Sequence, residues 1–368
     1  MLNACNILSL PFRRLGLLPR RRFFWYEGLQ IAAWSVCGTF ALDLPARSPS
    51  ATGGREHLAR MTTTQQVGSQ QVGTRRYDLV AIDIDGTLID HTGQVHARNI
   101  AAIARARAEG MTVVLCTGRA LIECRRVIET TGQCDPVIVS GGAIIADPVT
   151  ERTIERQTMP PGLVARLCEY LHQRSHPALL LKDSDAAGFD YLVVSPRGED
   201  ALDPASRWWF DHMGVRCRFA QAAADDEHPE HTVRVGAYSA NTPVVDLAEE
   251  LARMFHAEVM LQHFNGVLLP KERRDQGIES IHIVEVFNPL ADKWQALCRL
   301  AARLNIPQAR LCAIGDQTND QTMVGNAALG IAMGNAHPAV AAVAKRQTLA
   351  ASEGGVGYAL EHVLRGEW

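Results

Sequence analysis

Apolar runs alternating with helical patterns organise the chain from Tyr77 onward. Asp78-Leu79-Val80-Ala81-Ile82 reads as a buried strand. Val95 to Glu109 carries Ile100, Ile103 and Ala104 on one helical face, and Gly110 stands where a C-terminal cap would. A strand at 112–116, a helix at 119–130 and a strand at 137–140 follow. Strands alternating with helices predict a parallel sheet with right-handed crossovers. Ala143 to Pro148 and Arg152 to Glu155 predict two arms of a hairpin leading out of that sheet. From about 148 to 283 the rhythm changes. Helical patterns at 161–174 and 243–256 mix with strands at 178–182, 189–194, 232–238 and 258–262, which predicts an α+β insert. Asp203-Pro204-Ala205 and Ala222 to Asp226 read as loops within it. The first sheet is expected to resume at Ile283-Val284-Glu285-Val286. An amphipathic helix over Lys293 to Leu304 and a strand at 311–314 come next.

The chemistry gathers where apolar runs stop. Val80 to Ile82 leads into Asp83, Ile84, Asp85, Gly86 and Thr87. Spacing i, i+2 places Asp83 and Asp85 on one face of a regular strand. Two carboxylates so close repel unless a cation or a shared proton intervenes, and Mg²⁺ suits oxygen ligands. A plain strand-to-turn reading also fits Asp-Gly. Val113 to Cys116 ends in Thr117-Gly118-Arg119, and Leu311 to Gly315 ends in Asp316-Gln317-Thr318-Asn319-Asp320. In parallel sheets ligands bind beyond the carboxyl ends of strands, where all three groups lie.

Together DxDGT, TGR, Lys293 and GDxxND, in that order, resemble the four motifs of the haloacid dehalogenase superfamily, in its Cof-type form. The resemblance covers roughly residues 77–365, including Gly330 to Ala336 and Gly354 to Gly357. It implies an α/β fold: a Rossmann-like parallel-sheet core over 77–147 and 284–368, with an inserted α+β cap domain over 148–283. It implies a phosphatase acting on small phosphoesters such as sugar phosphates through an aspartyl phosphate. A mutase or phosphotransferase using the same intermediate, or a weakly catalytic sugar-phosphate-binding regulator, remain open. By resemblance Asp83 is the nucleophile and Asp85 the general acid and base. Mg²⁺ is held by Asp83, the Asp85 backbone carbonyl, Asp316 and, directly or through water, Asp320. Thr117, Gly118, Lys293 and Asn319 contact the phosphoryl group. Arg119 contacts substrate or pairs with the cap. Asp292 is a rival partner for Lys293. One departure stands out: Cof-type proteins commonly carry Asn-Gly-Ala after the third strand, where this chain has Ser140-Gly141-Gly142-Ala143.

Composition narrows the classes. The formal charge of −3 and pI near 6.5 give no nucleic-acid signature. Residues 1–60 hold eight arginines and three acids, so the remainder is acidic. An acidic body handling an anion needs a local cation. Nine cysteines form no C-x-x-C pair, which favours a reducing cytoplasm over a disulfide framework. Residues 1–76 match nothing in the family and are expected to be an N-terminal extension and linker, with targeting as the alternative. The apolar stretch Leu29 to Leu44 is too short and interrupted to be read as a membrane span. Among the cap histidines only His172 and His176 have helical metal-site spacing, and hydrogen-bonded or surface roles are expected for them. Trp208-Trp209-Phe210 is expected to pack within the cap, with cover for a sugar face as the alternative.

Overall fold

The computed structural model describes residues 76–240, 245–265 and 281–368. The extension and most of the linker lie outside them. The first half of the core runs β1 (Leu79–Ile82), α1 (Ala97–Ala108), β2 (Thr112–Leu115), α2 (Leu121–Thr131), β3 (Val137–Val139), β4 (Ile144–Ala146) and β5 (Thr153–Arg156). The insert then gives α3 (Pro161–Gln173), β6 (Ala178–Lys182), α4 (Ser184–Ala187), β7 (Tyr191–Val194), α5 (Pro204–Met213) and β8 (Cys217–Ala220). It continues through β9 (Thr232–Ala240), α6 (Val245–Phe255), β10 (Met260–Asn265) and β11 (Ile281–Phe287). The chain returns to the core as α7 (Lys293–Arg303), β12 (Leu311–Gly315), α8 (Gln321–Asn326), β13 (Leu329–Ala332), α9 (Pro338–Ala341), β14 (Arg346–Gln347) and α10 (Gly355–Leu364).

The core sheet is parallel, in the order β14-β13-β12-β1-β2, and the bridge Cys116–Ile138 sets β3 alongside β2. β1 is buried on both faces, and its alternation sorts the layers. Val80 and Ile82 join a cluster with Ile103 of α1 and Leu360 of α10. Leu79 and Ala81 join Leu297 and Leu300 of α7 on the other side. Burial from two sides is why this strand is a continuous apolar run.

The register fixes the active end. Ile82 pairs with Ile314 on one side and Leu115 on the other. Asp83, Thr117 and Asp316 therefore emerge at nearly one height, one or two residues beyond those partners.

The cap is a six-stranded sheet, β10-β11-β9-β6-β7-β8, antiparallel except between β7 and β8. α3 and α6 cover one face: Leu163, Leu167 and Leu251 pack on Leu180, Val235 and Val286. The other face presents Leu181, Tyr191, Val193 and Tyr238 to the cluster that includes the core.

Two expectations change here. Ile281–Phe287 does not resume the core. It pairs antiparallel with β9 and β10, so residues 284–287 belong to the cap sheet. An apolar run cannot say which of two sheets it will join. At the other end β5 pairs with β4, keeping 153–156 with the hairpin. Asp203-Pro204-Ala205 is not a loop but a helix start. The Asp203 carboxylate accepts from the Ser206 backbone N–H (3.1 Å) and hydroxyl (2.7 Å), ahead of proline at the first helical position.

Candidate active site

Asp83 sits directly beyond β1, tied by its N–H to the Ile314 carbonyl (3.0 Å) and only 4 % exposed. Its Oδ1 accepts from Lys293 Nζ at 2.7 Å, and the same ammonium donates to Asp320 Oδ1 at 2.7 Å. Lys293 opens α7. Asp292 does not compete for it. As N-cap, Asp292 accepts from the Gln295 N–H (3.0 Å) and from the Thr322 hydroxyl (2.8 Å). Gly142, at φ +102°, lets this helix start approach, since a Cβ there would lie 2.5 Å from the Asp292 backbone. The only local signal for this contact is the pair of consecutive glycines, which allows close backbone approach.

Asp316 is placed by partners on three segments. Its Oδ1 accepts from the Thr87 hydroxyl at 2.7 Å, and Oδ2 from Gln317 Nε2 at 3.1 Å and Asn335 Nδ2 at 3.4 Å. Asn335 also donates to the Gly86 carbonyl at 2.8 Å. Gly86 is at φ +79°, and a Cβ there would run into the Asp316 carboxylate. Thr87 and Asn335 therefore belong to the site. Thr87 stands in the DxDGT segment and Asn335 in Gly330 to Ala336, but nothing in their spacing points to Asp316. Asp320 turns its Oδ2 back to the N–H groups of Asp316 (3.0 Å) and Gln317 (3.1 Å), so it shapes the loop as well as pairing with Lys293.

Asp83, Asp316 and Asp320 offer ligand oxygens within 4.8 Å of one another, all buried. Three carboxylates face one ammonium. Burial, then the charges of Asp320, Asp316 and Asp85, hold the Asp83 carboxyl well above its usual range despite Lys293. Burial also pushes Asp316 up to about 6, against the Thr87 hydrogen bond. For Lys293, Asp320 and Asp83 outweigh burial and keep it protonated. The cluster is short of positive charge and built of hard oxygen donors, which fits a divalent cation. The Asp85 carboxylate stands outside it, 54 % exposed. Any ligation by Asp85 falls to its backbone carbonyl.

Arg119 takes the Asp85 carboxylate in a two-point grip, Nε to Oδ2 at 2.8 Å and Nη2 to Oδ1 at 2.5 Å. Its guanidinium carbon lies 5.8 Å from the Trp209 ring of the cap, and Trp209 Nε1 donates to Glu123 Oε1 at 2.9 Å. Trp209 thus reaches the core, whereas Phe210 packs on Tyr191 inside the cap. Thr117 is 1 % exposed, its N–H bound to Ile138 O (2.8 Å) and its carbonyl to Gly141 N (3.0 Å). Asn319 faces Gly118, with Oδ1 buried and unpartnered among the described residues. Gly141, at φ +66°, borders Phe287: a Cβ there would sit 3.2 Å from that ring. An asparagine at 141 would press on the Phe287 ring, which would have to give by a few tenths of an ångström, a steric counterpart to the departure from Asn-Gly-Ala.

A profile of haloacid dehalogenase-like hydrolases matches residues 80–360. The chain belongs to this family, in its Cof-type group. The match takes in every residue of the site described above. The phosphatase YwpJ of Bacillus subtilis is 29% identical over 302 residues, covering 78% of this chain and 99% of that protein. The 5-amino-6-(5-phospho-D-ribitylamino)uracil phosphatase YwtE of the same organism is 26% identical, with the same coverage. A solved haloacid dehalogenase-like hydrolase from B. subtilis superposes with a TM-score of 0.61 at 25% identity, covering 77% of this chain and 99% of its own.

Outside this centre, His172 Nε2 bonds the Val194 carbonyl (2.8 Å) and His176 Nδ1 that of Tyr238 (3.3 Å). His228, Glu230 and His231 bring three ligand atoms within 4.8 Å on the turn before β9. No described helix is long and apolar enough to cross a membrane.

Proposed function

We propose that this hydrolase is a Mg²⁺-dependent phosphomonoesterase acting on small phosphoesters, sugar phosphates foremost, through an aspartyl phosphate on Asp83. The observation that carries the reading is the buried constellation of Asp83, Asp316 and Asp320 around Lys293 at the carboxyl ends of β1 and β12. The YwtE substrate, a phosphorylated ribityl compound, supports a polyol or sugar leaving group.

Asp83 attacks phosphorus, and the bond to the leaving oxygen breaks. Asp85 supplies the proton to that oxygen once Arg119 releases it, then takes one from the water that cleaves the acyl phosphate. Inorganic phosphate leaves and Asp83 is restored. Lys293 offsets the charge of Asp83 and the phosphoryl oxygens, and the Thr117 hydroxyl donates to one of them. Asp83, Asp316, Asp320 and the Asp85 backbone carbonyl would hold Mg²⁺, which would supply charge neutralisation at the same oxygens. The cap excludes bulk water from the acyl phosphate.

A phosphate-release screen over many phosphometabolites, with Mg²⁺ and with EDTA, tests this. Release on a subset of sugar phosphates is expected, lost in EDTA and restored by excess Mg²⁺. Release undiminished by EDTA removes the metal from the reading. Turnover that needs a bisphosphate activator makes the enzyme a mutase.

Specificity is expected to separate from chemistry. Trp209 lies over Arg119 at the cap boundary, away from the carboxylate cluster. Trp209→Leu should rerank phosphoesters by roughly ten- to two-hundred-fold in relative kcat/KM while Mg²⁺ dependence persists. Equal loss on every substrate would show that Trp209 selects nothing.

A further inference from the structure

Arg234 is a buried cation that the phosphoryl chemistry leaves unused. It lies on β9, where alternation sends Val235 and Ala237 to the cap helices and Arg234 to the core-facing side, opposite Leu181 and Phe287. It is 5 % exposed. Nη1 pairs with Glu285 Oε1 at 2.6 Å, and Nη2 donates to the Tyr191 hydroxyl. Burying a guanidinium costs several kcal/mol, and an ion pair is a poor way to hold two surfaces together when apolar contacts serve as well. Its hydrogen bond to the core goes to one atom, the Gly118 carbonyl, at 3.0 Å from Nη1.

That carbonyl shares a peptide with the N–H of Arg119, which donates to Thr117 Oγ1 at 3.1 Å. A charged donor on the oxygen of an amide polarises it and makes its N–H a stronger donor. A threonine hydroxyl has one proton to give. With Oγ1 accepting from Arg119, that proton is turned away from the loop. The backbone of Thr117 is already fixed on both sides, so the hydroxyl is the part left to orient. Another cap contact lands on the same segment: Trp209 donates to Glu123 Oε1, while Oε2 of that glutamate accepts from the Ala120 N–H at 2.7 Å.

We infer that Arg234 is a positioning residue through which the docked cap orients the Thr117 hydroxyl toward the transferring phosphoryl group, by way of the Gly118–Arg119 peptide. This rests on Thr117 as a phosphoryl contact. It differs from substrate selection, because the phosphoryl group is common to all substrates. Withdrawal of the cap removes the charged donor from the Gly118 carbonyl and relaxes the hydroxyl.

The experiment is a double-mutant cycle on the full chain, Arg234→Gln against Thr117→Val. It reads kcat and KM on several phosphoesters and, by titration, the affinity for inorganic phosphate with Mg²⁺. The titration stays measurable if Thr117→Val is inactive. Arg234→Gln strands Glu285, so Arg234→Gln/Glu285→Gln is carried alongside, with melting curves for all variants. Arg234→Gln is expected to lower kcat/KM about tenfold or more by the same factor on every substrate, mainly in kcat. It should weaken phosphate binding in the wild-type background and change it less than about twofold beside Thr117→Val. The neutral pair should melt near wild type and stay impaired. Equal losses in both backgrounds, or full activity in the neutral pair, overturn the inference and leave the phosphatase reading standing. A wild type that releases no phosphate from any ester overturns that reading instead.

Discussion

Asp83→Asn is expected to abolish phosphate release while leaving the fold intact. The amide is nearly isosteric, and the position is held by a backbone bond to Ile314 that the substitution does not touch. The amide is not a competent nucleophile, and losing one essential group costs several orders of magnitude. Electrostatics run the other way. Burial, then the charges of Asp320, Asp316 and Asp85, push the Asp83 carboxyl up by more than Lys293 holds it down, so a neutral side chain relieves more than the lost ion pair contributes. The variant should therefore melt no lower than wild type. Residual activity above about one per cent in a pure preparation would sink the nucleophile assignment.

Lys293→Met should fail in the opposite way, losing activity and stability together. The ammonium is 1 % exposed and serves two buried carboxylates at 2.7 Å each. Methionine fills much of the volume but strands both. Removing one partner of a buried ion pair costs about 3–5 kcal/mol, chiefly through the uncompensated charge left behind. For a chain of this size that corresponds to a midpoint lower by roughly 10 °C in thermal unfolding. Mg²⁺ should recover part of the loss, since a second cation meets the same carboxylates. A variant melting with wild type in EDTA would mean that the carboxylates do not depend on this lysine.

Much of this centre could be read from the chain because strand ends are legible. A buried parallel strand must be an apolar run, so its last residue is visible. Asp83, Thr117 and Asp316 each stand one or two places past such an end. The parallel register does the rest. What could not be read depends on the second layer. Val284 and Val286 are as apolar as any core strand, yet pair with the cap. Asp203-Pro204 carries turn chemistry that serves equally as a helix N-terminus. Trp209 reaches Glu123, and Arg234 reaches Gly118, only because of where the cap sits, which no local pattern encodes. Arg119 had two expected partners, and its grip on Asp85 is a contact across 34 residues between two loops.

The insertion of the cap has a consequence for how the enzyme is made. β1 and β2 are neighbours in sequence, but β1's other partner, β12, comes only after the entire cap. Asp83 is 210 residues ahead of Lys293, and Thr87 is 229 ahead of Asp316. As the chain leaves the ribosome, the apolar flank of β1 that β12 will cover has nothing to pair with until the cap has been synthesised. The cap strands all come from one stretch of sequence and pair only with one another, so the cap is expected to fold as a unit before the core. Such long-range parallel pairing is slow and leaves a strand edge open to other chains in the interval. Chains truncated before residue 311 and released from the ribosome should therefore contain a formed cap, no catalytic centre and a marked need for chaperones.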